Sequence, residues 1–418
     1  MQKKVLYYFV GIIVYRYILD LCYVQVIEPV FNYLGFVNRE TFQTLLRSWG
    51  VLLLMLPLSF TWLRKNKPSS NVLLLIFLAS YVPFTSLICF IPTSIKYIVS
   101  VCLYWISIWL IDKFLPNFKF PNYVNNSKII FYFILVYICV IFYVSGKYTG
   151  FRLYFSFDNI YDLRFEARKF NIPILFEYIL AASRGLLPIF LIYSWSKRKF
   201  IWSGLIFFSI ILNFGIGGNK SIIFLLILSI IGYRFYTNKV RNLYVWGMSG
   251  IGLLALIEQF LLDTRFLGAN IIYRFFYIPS FLDRCFFDFF QFHEFDFFRQ
   301  GILRRFGLES PYEQGIDFII ADIYFGIDGS RANNGLFSDA YMNMGILGCI
   351  LMPFFLVFVL RLFDACARGI IMRLLFVPII VFFLDLRSGT LTIALLTGGL
   401  LFLMLMLYFF PRFQEGVE

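Results

Sequence analysis

Residues 70–91 read SNVLLLIFLASYVPFTSLICFI, an uncharged run long enough to cross the ~30 Å hydrocarbon core of a bilayer as one helix. The basic segment Arg64-Lys65-Asn66-Lys67 comes just before it. Similar apolar runs recur along the whole chain, which is 60% hydrophobic and 21% aromatic. A soluble protein of 418 residues does not have this composition. The sequence therefore predicts an all-α polytopic membrane protein.

Twelve apolar segments are predicted to span the membrane. They are 5–27, 47–63, 70–91, 96–112, 128–146, 173–195, 201–217, 220–236, 243–262, 339–362, 370–386 and 391–410. The first contains Arg16 and Asp20 and ends in no small-residue cleavage site, so we interpret it as a span and not as a signal peptide. Because Arg16 and Asp20 are one helical turn apart, we expect a structural ion pair.

Short basic clusters fall on every second connection between these spans, which by the positive-inside rule predicts that both termini are cytoplasmic. The net charge of +13 is thereby explained by membrane orientation, and nucleic-acid binding is not indicated. The chain is interpreted as one membrane domain, 1–418. Its outer connections include a smaller periplasmic loop at 147–172 and a large one at 263–338, predicted to form a helical cap.

The large loop contains seven arginines, no lysine and His293, the only histidine of the chain. Guanidinium groups suit bidentate recognition of phosphate or carboxylate better than ammonium groups do. His293 with Glu294 is a candidate general base, although a histidine within a Phe-rich segment is also typical of an interfacial residue. The segment Tyr273–Phe298 is compatible with a helix in the lipid headgroup layer and equally with a buried cap helix.

Arg184 lies at the centre of the span 173–195. A charge at the bilayer midplane costs ~2.5–3.5 kcal/mol on insertion scales, so a charged residue there suggests a functional site. Glu177 lies on the same helical face and is a candidate partner, which would make the pair structural. The small residues around Arg184, Ala181 to Gly185, are expected to leave a cavity beside it.

Two further outer features are candidates for phosphate binding. Arg164 and Arg168 share one helix face and suit a pyrophosphate, although a solvated charged face has the same pattern. The turn Gly217-Gly218-Asn219-Lys220 comes at the start of a span, where free backbone N–H groups favour binding of an anion. The same residues are equally compatible with a hairpin that only connects two spans.

The segment 328–348 resembles the region of bacterial O-antigen and oligosaccharide repeat-unit polymerases (Wzy) in which an Asn/Thr-Gly turn precedes a helix of the form D-A-Y-x-N-x-G-x-x-G. The matching residues are Asn334, Gly335, Asp339, Ala340, Tyr341, Asn343, Gly345 and Gly348. The twelve-span topology with a large late periplasmic loop is similar to that family, and Arg304 and Gly315 match its Arg-x10-Gly spacing. The topology match covers the whole chain, whereas the residue match covers little beyond this segment.

The resemblance implies a GT-C-like fold and a glycosyltransferase that joins undecaprenyl-pyrophosphate-linked oligosaccharide units. It needs no cofactor, and the outer loops contain no Asp-x-Asp that would indicate a metal site. Membrane lipids and a chain-length regulator protein are the further partners it implies. The predicted catalytic residues are Arg304, Arg184, His293 and Glu294. The predicted pyrophosphate-binding residues are Arg164, Arg168, Lys220, Arg265, Arg274, Arg305, Arg331, Asn334, Tyr341 and Asn343.

We expect these residues to surround one cavity that is open to the periplasm and to the bilayer, with Arg184 at its wall. Two alternatives remain: an O-antigen ligase, and a repeat-unit flippase or other transporter. Transporters usually show paired repeats with broken midplane helices, and shorter outer loops, and the sequence indicates neither.

Overall fold

The computed structural model describes residues 2–121, 127–153, 160–237, 240–326 and 329–412, and every regular element in these ranges is a helix. The chain divides into two compact units. The first comprises Met1–Pro116, Lys239–Val359 and Leu386–Leu391. The second comprises Asn117–Asn238, Leu360–Asp385 and Thr392–Glu418.

Eighteen α-helices follow one another along the described residues. The first six are α1 (Gln2–Cys22), α2 (Glu28–Phe31), α3 (Phe42–Arg64), α4 (Pro68–Ile76), α5 (Val82–Phe90) and α6 (Ile95–Phe114). The next six are α7 (Ser127–Thr149), α8 (Ile160–Ala167), α9 (Ile174–Ser196), α10 (Phe200–Gly217), α11 (Lys220–Phe235) and α12 (Val240–Ile257). The last six are α13 (Ile278–Phe290), α14 (Ile316–Phe325), α15 (Leu336–Cys366), α16 (Met372–Ser388), α17 (Leu391–Leu395) and α18 (Leu400–Phe409).

Short helices of other types join several of these elements. Tyr23–Ile27, Phe77–Tyr81, Glu258–Leu262 and Gly268–Tyr277 are π-helical, and Asn32–Leu34 and Ile302–Phe306 are 3₁₀ turns.

Nine helices within the described residues are long and apolar enough to cross a membrane, which confirms a multi-pass, all-helical protein. They are Val5–Leu34, Phe42–Arg64, Pro68–Phe90, Ile95–Phe114, Lys128–Thr149, Ile174–Ser196, Phe200–Gly217, Val240–Leu262 and Leu336–Cys366. The other three predicted spans coincide with shorter helices: α11 has 16 residues, α16 has 17, and the last is divided into α17 and α18.

The predicted span 391–410 is therefore not one continuous helix. The break between α17 and α18 ends at Gly399, whose φ of +82° suits a residue without a Cβ. A Cβ at Gly399 would lie 2.5 Å from the backbone nitrogen of Ala182 on α9. The break thus packs directly against a neighbouring helix of the second unit. The sequence did not indicate this break.

The predicted ion pair in the first span is present in the first unit. Arg16 is fully buried and pairs with Asp20, which confirms the expectation from their spacing. Arg16 also donates hydrogen bonds to the Thr85 hydroxyl at 3.1 Å and to the Ser48 hydroxyl at 3.2 Å. These partners on α5 and α3 compensate for burying the charge.

The late loop begins with a turn closed by the buried carboxylate of Glu258. This carboxylate accepts hydrogen bonds from the backbone N–H groups of Phe266 and Leu267, both at 2.7 Å. The π-helix Gly268–Tyr277 then continues into α13. Tyr277 is fully buried, donates to the carbonyl of Leu19 at 2.7 Å and lies 2.9 Å from the Ser86 hydroxyl. Of the two alternatives for this Phe-rich segment, the structure supports the buried helix.

Arg387 fixes the position of this buried helix. Its guanidinium donates to the carbonyl of Ala79 at 3.1 Å and to that of Phe275 at 3.0 Å. Both carbonyls belong to π-helical segments, in which helical hydrogen bonding is locally irregular. On α13, Asp283 accepts a hydrogen bond from the N–H of Ser338 at 3.3 Å, near the start of α15. Asp283 and Arg387 both line a small internal cavity of about 40 Å³.

Helix α15 is interrupted at Gly345, where φ is +59° and ψ is −136°. The interruption lets a loop segment dock on the helix. The N–H of Asp296 donates to the carbonyl of Met342 at 3.0 Å, and that of Phe297 to the carbonyl of Asn343 at 3.3 Å. A Cβ at Gly345 would lie 2.6 Å from the ring of Phe295, so only glycine fits here.

Candidate functional site

The predicted site residues belong to both units. Those in the first unit are Arg265, Arg274, His293, Glu294, Arg304, Arg305, Arg331, Asn334, Tyr341 and Asn343, and those in the second are Arg164, Arg168, Arg184 and Lys220. The side chains of Arg164 and Arg305 lie outside the described part of the structure.

Four of the described arginines of the late loop are exposed. Arg265 donates to Gln259 at 2.7 Å, and Arg331 lies 3.6 Å from Asp317 and over the ring of Phe318. Arg274 and Arg304 are also exposed. Their role in binding a pyrophosphate stays a prediction, since exposed pairs of this kind add little stability and define no pocket.

His293 and Glu294 are both exposed on the turn after α13. The ring of His293 stacks on Phe289 at 3.8 Å, and its Nδ1 lies 2.8 Å from the Phe289 carbonyl. Glu294 pairs with Arg299 at 2.8 Å. The two side chains therefore have separate partners, and catalysis by this pair stays a prediction.

The residues that carry the family resemblance are largely buried. Asn343 is 1% exposed and donates to the carbonyl of Asp339 at 2.8 Å. Tyr341 is 6% exposed and packs against the rings of Phe287 and Phe337. In the free protein these side chains hold the loop against α15. Asn334 lies beside them, 3.5 Å from the Asp339 carboxylate.

A pocket of about 490 Å³ lies in the first unit where three connections meet. Tyr33 to Arg39 come from the connection after α2, Ile91 and Pro92 from the connection after α5, and α13 supplies the opposite wall. All three connections are predicted to lie on the periplasmic side. This volume is typical of a small-ligand site. The lining residues that bear charge are Arg39, Arg284 and Asp288.

The charges in this pocket suit recognition of an anion with a nearby base. Arg284 lies 3.3 Å from Asp288, one helical turn further along α13. Burial raises the pKa of Asp288, and the neighbouring Arg284 guanidinium opposes this. A carboxylate with a raised pKa in a cleft is a candidate general base. Tyr324 also lines the pocket, and burial raises its pKa to about 12, so the phenol stays neutral.

In the second unit, Arg184 pairs with Asp385 of α16. Its Nη2 lies 2.5 Å from both carboxylate oxygens of Asp385 and donates to the carbonyl of Gly398 at 3.2 Å. Because Arg184 pairs with Asp385 and Glu177 is exposed, the alternative in which Glu177 partners Arg184 is wrong. The small residues near Arg184 are packed: the Cβ position of Gly185 lies 3.2 Å from Val381, and Ala182 contacts Gly399. They do not provide the expected open space.

The other predicted cations of the second unit are exposed. Arg168 lies over the ring of Phe165, and Lys220 begins α11 after Asn219, whose side chain caps Ser221. Arg152, which is not among the predicted site residues, pairs with Glu166 at 2.8 Å. Its carbonyl would lie 2.4 Å from a Cβ at Gly215, so the loop after α7 packs closely on α10.

Sequence reasoning missed Asp385, Arg39 and Asp288. Asp385 is a charged residue near the end of a predicted span, and it indicated a functional or paired position as strongly as Arg184 did. Arg39 and Asp288 carried no separate signal because they are far apart in sequence. Within the described residues, no group of three or more His, Cys, Asp or Glu side chains is arranged to hold a metal ion.

Comparison of the chain with known protein families, with curated proteins and with solved structures found no match.

Proposed function

We propose that this protein is a polymerase that joins undecaprenyl-pyrophosphate-linked oligosaccharide repeat units into O-antigen or a related surface polysaccharide. The reaction takes place at the periplasmic face of the bacterial inner membrane. The proposal includes twelve spans, cytoplasmic termini and a GT-C-like arrangement. It rests on the resemblance of segment 328–348 and, above all, on the pocket lined by Arg39, Arg284 and Asp288.

The pocket offers the groups that this glycosyl transfer needs. An acceptor sugar hydroxyl attacks the anomeric carbon of the donor glycan, the bond from that carbon to the pyrophosphate breaks, and the lipid pyrophosphate leaves with its electron pair. Asp288 takes the hydroxyl proton in this proposal. Arg39 and Arg284 can neutralise charge on the leaving pyrophosphate. Tyr33 and Tyr324 add aromatic faces against which sugar rings can pack.

One observation favours a second candidate, a repeat-unit flippase or other transporter. The break between α17 and α18 lies beside the Arg184–Asp385 pair, and Gly398 in the break accepts a hydrogen bond from Arg184. Transporters often bind substrates and ions at such interrupted helices. The ligase alternative has no separate structural support.

Deletion of the gene distinguishes these functions by the glycan that accumulates. Loss of a polymerase leaves single repeat units on the cell surface, loss of a ligase leaves free lipid-linked polymer, and loss of a flippase leaves units trapped inside. Complementation with Arg284→Lys and Asp288→Asn then tests the pocket, with Arg64→Lys and Asp322→Asn as exposed controls. We expect shortened or absent polymer for the first two and wild-type ladders for the controls. Wild-type ladders for all four would exclude the pocket from the reaction.

A further inference from the structure

The ion pair between Arg184 and Asp385 engages only some of the hydrogen-bond donors of the guanidinium. A guanidinium has five donors, and a carboxylate normally engages two of its nitrogens side by side. Here Nη2 alone contacts both oxygens of Asp385 and the carbonyl of Gly398. The Nε of Arg184 is buried, and among the described residues no group accepts a hydrogen bond from it. A buried donor without an acceptor is costly, so this Nε–H favours an additional acceptor.

The guanidinium nevertheless remains within reach of a ligand. The Arg184 side chain is 20% exposed, whereas Asp385 is 10% exposed. Part of the Arg184 side chain is therefore accessible to a ligand, although its Nε is buried. A tetrahedral oxyanion has more oxygens than a carboxylate and can bind Nη2 and Nε together.

The broken helix beside this pair adds positive potential. Helix α18 has ten residues and starts immediately after Gly399, and no side chain caps its N-terminus. The first N–H groups of a helix lack partners within the helix and favour a negative charge. This potential does not define a site by itself. It is positive, however, like the charge on the unpaired Nε–H, so both favour an anion.

We propose that Arg184 binds a phosphate group and that Asp385 is the resting counter-ion which the phosphate displaces. In the free protein the Asp385 carboxylate stands in for the phosphate and neutralises the buried arginine. When phosphate binds, Arg184 gains an acceptor for Nε and Asp385 is released from Nη2. The inference deepens the proposed function and rests on it only for the source of the phosphate, a lipid-linked pyrophosphate rather than the headgroup of an anionic phospholipid.

Binding of inorganic pyrophosphate to the full-length protein in a phosphate-free detergent tests this exchange. Asp385→Asn keeps the shape of the side chain and removes the competing charge. The affinity for pyrophosphate should therefore rise about tenfold, which is the gain expected when a competitor that occupies the site about nine-tenths of the time is removed. Arg184→Lys should lose the binding. Asp364→Asn is the matched control, because Asp364 pairs with Arg361 at 3.7 Å in the same unit, and its affinity should equal that of wild type. Each titration is repeated with Arg284→Gln, which separates binding at the pocket of the first unit.

Short-chain phosphatidylglycerol, titrated in parallel, distinguishes the two sources of phosphate. A response to pyrophosphate that depends on Arg184 supports a lipid-linked substrate, and a response confined to phosphatidylglycerol supports exchange with a membrane lipid. Equal affinity of wild type and Asp385→Asn for both probes would overturn the proposal, because a purely structural pair predicts no gain. If Arg184→Lys does not fold, Asp385→Asn decides alone. Because this experiment measures binding and not polymer formation, the exchange can be disproved while the polymerase proposal stands. Equally, the polymerase proposal can fail while the exchange is observed.

Discussion

The side-chain oxygen of Asn343 accepts a hydrogen bond from the backbone N–H of Phe298 at 2.6 Å, between residues 45 positions apart. Asn343 also donates to the carbonyl and the carboxylate of Asp339 at 2.8 and 3.2 Å. One buried amide thus holds the interrupted helix α15 and the docked loop together.

Asn343→Ala should therefore lower stability. Removing the amide leaves the buried N–H of Phe298 without its acceptor, at a cost of about 1–3 kcal/mol. Thermal unfolding in detergent measures the effect, and Asn333→Ala, at an exposed position nearby, should match wild type. An unchanged midpoint for Asn343→Ala together with loss of polymer would instead support its predicted role in substrate binding.

Asp283 should make stability depend on pH. Burial raises its pKa to about 6, while Arg387 and Ser338 act in the opposite direction. The folded state then holds this proton more tightly than the unfolded state does. Stability therefore falls as pH rises from the ordinary aspartate pKa, about 4, through about 6, and is flat above that. Asp283→Asn should reduce this fall when melting is measured across the range, and the exposed Asp322→Asn should retain it.

Asp288 should produce the acidic limb of the pH–rate profile for polymerisation. A general base works only when it is ionised, and burial raises its pKa. Activity should rise with pH through that raised pKa, and Asp288→Asn should lower it at every pH while the protein still folds. A profile of unchanged shape and height in Asp288→Asn would assign the base elsewhere, with Glu294 and His293 the next candidates.

Gly399→Ala should destabilise the second unit. The residue has a positive φ, and its Cβ would meet the backbone of Ala182 at 2.5 Å. A left-handed conformation costs a residue with a side chain roughly 1–2 kcal/mol, to which the close contact adds. Gly204→Ala is the control, because a Cβ there meets nothing within 4 Å and the backbone is helical. Equal melting of the two variants would mean that the break does not pack as described.

Reporter fusions test the predicted topology. Fusions after Asn242 and Glu418 should report a cytoplasmic location, and a fusion after Ser310 a periplasmic one, because the basic clusters lie on the alternate connections. A cytoplasmic signal from the Ser310 fusion would reverse the orientation. It would also place the pocket of Arg39 and Arg284 on the wrong side for a periplasmic polymerase.

The geometry of the arginines should matter as well as their charge. The large loop contains no lysine, and the guanidinium of Arg184 contacts both Asp385 and the carbonyl of Gly398, so we expect Arg304→Lys and Arg184→Lys to shorten the polymer or abolish it at normal protein levels. Blots of the protein and of the glycan ladder measure both quantities. Wild-type ladders from both variants would remove the argument for bidentate phosphate recognition.

The sequence by itself determined that this is a helical, multi-pass membrane protein, and nearly where its long helices lie. Hydropathy over about 20 residues is a local property, and in a bilayer every backbone group must be satisfied within its own helix. The pair Arg16 and Asp20 followed for the same reason, because partners one turn apart need no knowledge of other helices.

Only the tertiary structure decided which charges meet. The partner of Arg184 is Asp385, 201 positions away, rather than Glu177 on its own helix. The pocket combines Arg39 with Arg284 and Asp288, which belong to segments far apart along the chain. The break before Gly399 could not be predicted either, because the hydropathy of a uniformly apolar segment is the same whether or not its helix is continuous. Such features depend on which helices are neighbours, and that is set by packing across the whole fold rather than by local periodicity.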